Sequence, residues 1–272
     1  MAGSSERVLI VTGGGTGIGR ATALHMAKLG WRVAVNYSKS RDEAEATAAE
    51  CRAAGGDGFA VEGNVADDAA CRRVAADTLA RWGRIDGLVN NAGVTAFRSP
   101  DDLDALTAED FARIFSVNVT GAYQMARAVA DAMRKAANES RSPAGGPGPG
   151  IVNVSSHGAF TGLGSSMAYA ASKGALNTLT LALARSLAPI IRVNAVCPGF
   201  VDTDWVRRGM SDSTFENFRR RVVKISPLGE ITRPEDVAEA VAWFLTCGRT
   251  VTGQLLVLDA GVHLTIRTPL TG

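Results

Sequence analysis

Arg7-Val-Leu-Ile-Val-Thr12 leads directly into Gly13-Gly-Gly-Thr16-Gly17-Ile18-Gly19, and Arg20 to Leu29 then carries apolar residues at helical spacing up to Gly30. The first run is short, apolar and β-branched, the pattern of a parallel strand buried on both faces. Gly30 is a C-terminal stop signal for the helix that follows. A strand, a glycine turn and a helix N-terminus in that order make a phosphate cradle. Bare backbone lets a pyrophosphate approach, and free N–H groups with the helix dipole favour the anion. The spacing Gly13-x-x-x-Gly17-x-Gly19 differs from the G-x-G-x-x-G of many dinucleotide folds. A glycine-rich turn alone most often marks a tight bend, so the rest of the chain must decide.

Similar runs recur near Arg32–Tyr37, Gly58–Glu62, Gly87–Asn90, Gly150–Ser155, Ile191–Val196 and Gln254–Leu258, with helical patterns between them. The alternation predicts one α/β domain spanning residues 1–272, a Rossmann-type doubly wound sheet of about seven parallel strands with helices on both faces. A chain of 272 residues with 46% hydrophobic content is long enough to bury that core. Thr107-Ala-Glu-Asp110 and Thr232-Arg-Pro-Glu235 each set a hydroxyl three residues before an acid, the signature of a helix start.

Tyr169 and Lys173 stand four residues apart in Tyr-Ala-Ala-Ser-Lys, thirteen residues after the last serine of Ile151-Val-Asn-Val-Ser-Ser156. On a helix that spacing brings the ammonium close to the phenol. A free tyrosine titrates near ~10, and bringing it to neutrality takes roughly 4 kcal/mol of differential stabilisation of the phenolate. A neighbouring cation, and a positively charged nicotinamide ring if one is bound, act in that direction. Such a phenol can give a proton to a carbonyl oxygen, or take one from an alcohol, while hydride moves at carbon. Ser156 is placed to hold the same oxygen.

With these pieces in view, the chain closely resembles the classical short-chain dehydrogenase/reductase family over nearly its whole length. Thr12 to Gly19 is similar to that family's T-G-x-x-x-G-x-G turn, and Asn90-Asn91-Ala92-Gly93 to its N-N-A-G after the fourth strand. Asn118 in Ser-Val-Asn-Val-Thr-Gly matches the helix asparagine that completes a catalytic tetrad. Pro198-Gly199-Phe-Val201-Asp-Thr203 resembles the segment that closes over the nicotinamide. The resemblance implies that Tyr169 is the general acid/base and that Lys173 lowers its pKa and binds the nicotinamide ribose. It assigns substrate orientation to Ser156, and to Asn118 a water relay reaching Lys173. Asn64-Val65 matches the pair that contacts adenine, where an aspartate is more usual.

The second strand ends in Asn36-Tyr37-Ser38-Lys39-Ser40. An acid there would accept bonds from a free adenosine ribose and repel a phosphate. None is present, and Asn36, Ser38 and Lys39 offer donors and one positive charge, which favours NADP(H) over NAD(H). Thr16 stands where many NADP-using relatives carry a basic residue.

Residues 202–229, with Trp205, Met210, Phe215 and Phe218, lie where ligands enter an open α/β sheet; the resemblance makes them the substrate lid, and their composition favours an apolar substrate face. Residues 138–150 are too rich in Gly, Pro and Ser to continue a helix and read as a flexible surface insertion. Ser226-Pro-Leu-Gly-Glu-Ile-Thr-Arg-Pro-Glu-Asp-Val-Ala238 resembles the 3-oxoacyl-carrier-protein reductase branch. The expectation is an NADP(H)-dependent oxidoreductase interconverting a carbonyl and a secondary alcohol, with a 3-oxoacyl thioester as first substrate. The alternatives are an NAD-dependent alcohol or polyol dehydrogenase and a non-catalytic dinucleotide-binding sensor or scaffold. By the same resemblance the chain forms a homotetramer.

A formal net charge of +2 leaves no basic field for nucleic acid, and Arg219-Arg-Arg221 reads as a solvated helix face. No run approaches the ~18 apolar residues of a membrane span, and residues 1–7 lack a signal-peptide core, so a cytoplasmic enzyme without membrane contact is expected. Cys51, Cys71, Cys197 and Cys247 lack metal or disulfide spacing and read as reduced, mostly buried thiols; His25, His157 and His263 are dispersed and take no role.

Overall fold

The computed structural model describes residues 7–99, 101–139, 147–207 and 211–265. In chain order the elements are β1 (Val8–Thr12), α1 (Gly17–Lys28), β2 (Arg32–Tyr37), α2 (Arg41–Ala53), β3 (Asp57–Glu62), α3 (Asp68–Trp82), β4 (Gly87–Asn90) and α4 (Ala108–Phe115). A π-helical turn over Ser116–Gly121 leads into α5 (Ala122–Glu139). Then come β5 (Gly150–Val154), α6 (Gly158–Thr161), α7 (Met167–Leu187), β6 (Arg192–Pro198), α8 (Asp204–Arg207), α9 (Asp212–Ile225), α10 (Pro234–Thr246) and β7 (Leu255–Leu258). All seven expected strands form, Arg32–Tyr37 and Gly87–Asn90 at the expected bounds and the other five with ends shifted by one or two residues.

The strands make one parallel sheet in the order β3-β2-β1-β4-β5-β6-β7. The chain winds outward from β1 to β3, then returns to β4 on the other side of β1. The carboxyl ends of β1 and β4 therefore diverge at a topological switch point, where such sheets bind ligands.

Alternate strand residues feed two cores. Leu9, Val11, Val33, Val35, Val89, Val152 and Val196 pack on one face with Met26 of α1 and Val237 and Val241 of α10. Ile10, Ala34, Leu88, Ile151 and Val193 pack on the other with α3, α5 and α7 through Val74, Met125, Met133 and Leu183. Burial on both faces explains why the strands read as continuous apolar runs rather than alternating ones. Fully burying one such side chain stabilises the fold by about 1.5–3 kcal/mol.

Thr107 caps α4 as expected, its Oγ1 accepting from Asp110 N at 3.2 Å. Thr232 does not cap α10: the N-cap is Arg233, whose N–H donates to the Asp236 carboxylate at 2.7 Å, while Thr232 Oγ1 donates to Leu258 O at 3.0 Å. Pro234 at the first helical position moves the start one residue on. Of the expected insertion, α5 runs on to Glu139, and residues 140–146 lie outside the described residues, as does Met210 of the lid.

Buried Arg192 donates to the carbonyls of Phe244 and, at 2.9 Å, Gly248, so that a cation closes the C-terminal end of α10. Cys51, Cys71 and Cys197 are buried and Cys247 is exposed. Burial pushes the thiols up, to about 12 for Cys51 and about 11 for Cys71 and Cys197. A disulfide-exchange reagent at pH 8 is therefore expected to titrate one thiol quickly in the native protein and four in denaturant. Fast reaction of a second thiol would show that one of the three buried positions opens.

Candidate active site

The glycine turn is shaped by what surrounds it. Gly13 has φ +61°, and a Cβ on Gly19 would lie 2.2 Å from Gly13 O, so neither position takes a side chain without distortion. Gly14 N–H donates to Asn36 O at 3.0 Å, and Thr47 Oγ1 of α2 donates to Gly15 O at 3.2 Å. Thr16 is the N-cap of α1 without a side-chain bond to it, and the first turn holds no acid. The turn therefore presents uncapped N–H groups and a helix dipole to a cavity lined by Gly13, Thr16, Gly17 and Ile18. Bare backbone, free donors and the absence of negative charge in the first turn fit a dinucleotide pyrophosphate.

Thr12 and Asn91 join the two strand ends. Thr12 Oγ1 accepts from the N–H groups of Asn91 and Ala92, both at 3.0 Å, and Asn91 Nδ2 donates to Thr12 O at 3.0 Å and Gly13 O at 2.9 Å. Asn91, Ala92 and Gly93 thereby line the cavity beside the turn.

At the other end of the same cavity lie Ser156, Tyr169 and Lys173, with Pro198, Gly199, Val201 and Thr203. Ser166 caps α7 by accepting from Tyr169 N at 3.2 Å, which sets the partly buried Tyr169 in the helix's first turn. There the dipole favours a phenolate. Lys173 is buried one turn on, with Nζ 5.6 Å from the Tyr169 ring centre and donating to Val154 O at 2.7 Å. Ser155 Oγ donates to Lys173 O at 3.2 Å, and Ser156 Oγ accepts from Gly158 N at 3.1 Å. The cap Ser166 and the brace Ser155 were missed in the sequence; a serine three residues before Tyr169 was the available signal for the first.

Burial pushes the Tyr169 phenol up to about 12, and the hydrogen bond to Ser156 pulls the other way. The Lys173 ammonium is aimed at a backbone carbonyl, and its own burial pulls it down to about 8.

Asn118 sits in the π-turn, a distortion that recurs at functional sites. Its Oδ1 accepts from Val94 N at 2.8 Å, while Nδ2 donates to Val94 O at 3.1 Å and Ser172 Oγ at 3.0 Å. The side chain thus braces the loop after β4 against α7.

The second-strand end departs from expectation. Asn36 is buried, and its Nδ2 donates to Val61 O at 3.2 Å and Gly63 O at 3.0 Å, so it latches β2 to β3 and offers no donor to a phosphate. Tyr37 is buried too, whereas Ser38 and Lys39 are exposed. Arg41, not singled out in the sequence, is the further cation: its guanidinium lies 5.8 Å from the Tyr37 ring centre and 3.3 Å from Glu62. Nearby, Asn64 shares a second cavity with Ser38, Glu62, Asp67 and Arg73. Val65 is buried, its carbonyl accepting from Gln124 Nε2 at 2.7 Å.

A family profile described as enoyl-(acyl carrier protein) reductase matches residues 13–263. A ketoacyl reductase assigned to the granaticin polyketide synthase of Streptomyces violaceoruber is 37% identical over 257 residues, covering 94% of this chain and 96% of that protein. The 3-oxoacyl-[acyl-carrier-protein] reductase of Synechocystis is 33% identical over 266 residues, covering 96% and 99%. A crystal structure from Burkholderia xenovorans, assigned to the short-chain dehydrogenase/reductases, superposes with a TM-score of 0.86 at 41% identity and covers 97% and 100%.

Lys173 gives a pH signature. The unfolded chain keeps this proton up to pH 10.5, the folded chain only to about 8. Between those values the unfolded state binds more protons, so this residue's contribution to stability grows as pH rises, by up to about 3 kcal/mol. Chemical denaturation at pH 7.5 and 9.5 is expected to show wild type gaining stability relative to Lys173→Met. A difference flat with pH would mean that the ammonium is solvated in the native state.

Proposed function

The chain belongs to the short-chain dehydrogenase/reductase family, and from that premise we propose that it is an NADP(H)-dependent reductase of 3-oxoacyl thioesters with Ser156, Tyr169, Lys173 and Asn118 as its catalytic set. Members of the family are oxidoreductases acting on CH–OH and ketone groups with a nicotinamide dinucleotide. The observation that carries the reading is the single cavity that runs from the Gly13–Gly19 turn to Ser156, Tyr169 and Lys173.

A nicotinamide dinucleotide held in this cavity would supply hydride to a carbonyl carbon presented to Ser156 and Tyr169. Ser156 donates a hydrogen bond to the carbonyl oxygen, which orients it and stabilises the negative charge that develops there. Tyr169 transfers its phenolic proton to that oxygen, and in the reverse direction accepts the alcohol proton. The N-terminal end of α7 and the Ser156 bond both stabilise the phenolate left behind. Lys173 holds the nicotinamide ribose through its ammonium, and Asn118 supports a water relay to Lys173. Gly13, Thr16, Gly17, Ile18 and Gly19 hold the pyrophosphate, Asn64 and Val65 the adenine, and Asn91, Ala92, Gly93, Pro198, Gly199, Val201 and Thr203 the nicotinamide side. Residues 202–229 act as the substrate lid of the single domain.

NADP(H) is favoured because Ser38, Lys39 and Arg41 crowd donors and two positive charges at the exposed end of β2. Glu62 supports the second reading, an NAD-dependent alcohol or polyol dehydrogenase, since its carboxylate competes for Arg41 and suits a free ribose. Titration following nicotinamide fluorescence is expected to show tighter binding of NADPH than NADH, with the preference falling about tenfold in Arg41→Ala, the scale of one charge-assisted contact. Tyr169→Phe is expected to keep that affinity and lose turnover by two orders of magnitude or more, on the ~10²–10⁴ scale of general acid catalysis. Unchanged turnover in this variant would sink the mechanism.

Among the described residues no helix is long and apolar enough to cross a membrane. Tyr123 on α5, Met167 and Leu181 on α7 and Leu256 on β7 are exposed apolar side chains on the elements through which a homotetramer would pack. Light scattering of the purified protein is expected to give four times the 28.3 kDa chain mass, and a monomer would refute the assembly.

A further inference from the structure

The lid contains two aromatic groups with different employment. Phe200, just before the lid, packs on Phe215 and Phe218 of the lid at 5.7 and 5.0 Å between ring centres. Phe215 is fully buried, and Arg207, held by Asp202 at 2.8 Å, lies 4.0 Å over its ring. This cluster accounts for the folding of the lid, and Trp205 takes no part in it. Its indole instead lies 5.6 Å from the Tyr169 ring, tilted by 46°, and 5.8 Å from Phe97, tilted by 55°, while staying 39% exposed. Three rings from three separate segments, the loop after β4, the start of α7 and the lid, meet beside the phenol. Trp205 thus keeps one part of its indole against these rings and another part open.

Trp205 also lines the cavity, together with Asp204 and Val206. The volume there is about 250 Å³. On the reductase reading nicotinamide and substrate share this cavity, and Trp205 forms part of its wall beside Tyr169. A carbonyl presented to Ser156 and Tyr169 then carries its substituent against Trp205 and Phe97. A planar ring there gains edge and offset contacts with the indole and Phe97, because aromatic faces and edges attract through their quadrupoles. An open methylene chain gains only dispersion and loses rotamer freedom on being held.

We propose that Trp205, backed by Phe97, is the specificity-determining residue of the substrate side, selecting 3-oxoacyl thioesters whose reacting carbonyl bears a planar ring over those with a short open chain. This rests on the carbonyl-reductase reading above and names its substrate class. The reaction is unchanged: hydride adds to the ketone carbon, the Tyr169 proton goes to its oxygen, and the cofactor is oxidised by two electrons.

The test compares kcat/KM for the N-acetylcysteamine thioesters of 3-oxo-3-phenylpropanoate and 3-oxobutanoate, with NADPH and with NADH, in wild type, Trp205→Phe, Trp205→Ala and Phe97→Ala. Because the two ketones differ in intrinsic reactivity, the readout is the ratio of their kcat/KM values across variants. Loss of the ring contacts in Trp205→Ala is expected to lower that ratio about tenfold, mainly through KM of the phenyl substrate, with Trp205→Phe retaining most of it. Phe97→Ala is expected to move the ratio the same way by a smaller factor, and it carries the test if the Trp205 variants fail to fold. A ratio unmoved in all variants that turn over would overturn the selection by Trp205 and leave the reductase reading standing. No turnover of either thioester by wild type with either cofactor would overturn both.

Discussion

The hydroxyl of Thr12 joins the ends of β1 and β4, and the site depends on that join. A parallel sheet whose winding reverses leaves two carboxyl ends splayed apart with unpaired backbone groups. Thr12 accepts from the amides of Asn91 and Ala92, and Asn91 answers by donating to Thr12 and Gly13. Four hydrogen bonds at about 1 kcal/mol net each stabilise the reversal, and the cost of leaving such buried groups unpaired is larger. They also fix the glycine turn against the segment that leads to Val94, and Asn118 braces that segment to α7. The cofactor cradle and the proton-transfer end thus share one rigid frame.

Within that frame the proton chemistry is set by burial working against charge. Tyr169 and Lys173 are each moved by desolvation toward their neutral forms, the phenol up and the ammonium down. Their separation along α7 brings them near one another, but the lysine is turned onto Val154 O. The groups that favour the phenolate are therefore Ser156 and the start of α7, made available by the Ser166 cap.

The segment after β6 packs in two places, Phe215 with Arg207 and Trp205 with Tyr169 and Phe97. Phe215 and Arg207 give it a core of its own, and the Val201–Thr232 bridge, with Thr232 bonded to Leu258 O, ties its root to the sheet edge. That anchoring lets Trp205 stand beside Tyr169 without holding the lid together.

Much of this is local and so legible in the chain. Continuous β-branched runs followed by glycine, helical periodicity and Gly30 marked the strand–turn–helix unit; a fixed order of short motifs marked Ser156, Tyr169, Lys173 and the Asn-Asn-Ala-Gly segment. Spacing along one helix is enough to bring Tyr169 and Lys173 together. What the chain could not show was how contacts between distant segments are spent. Asn36 looked like a phosphate donor, yet the neighbouring β3 consumes its amide; Arg41 was not singled out at all, and only the fold brings its guanidinium over Tyr37 and beside Glu62. Thr232 looked like a cap and became a sheet tie, and Trp205 met Phe97 across a gap of more than a hundred residues. Sequence by itself determined the elements and the pairing of Tyr169 with Lys173 on one helix, because propensity and periodicity act over a few residues. Only the tertiary structure decided which polar groups remain free and which rings face the reacting atoms, because hydrogen-bond satisfaction and burial depend on neighbours far away in the chain.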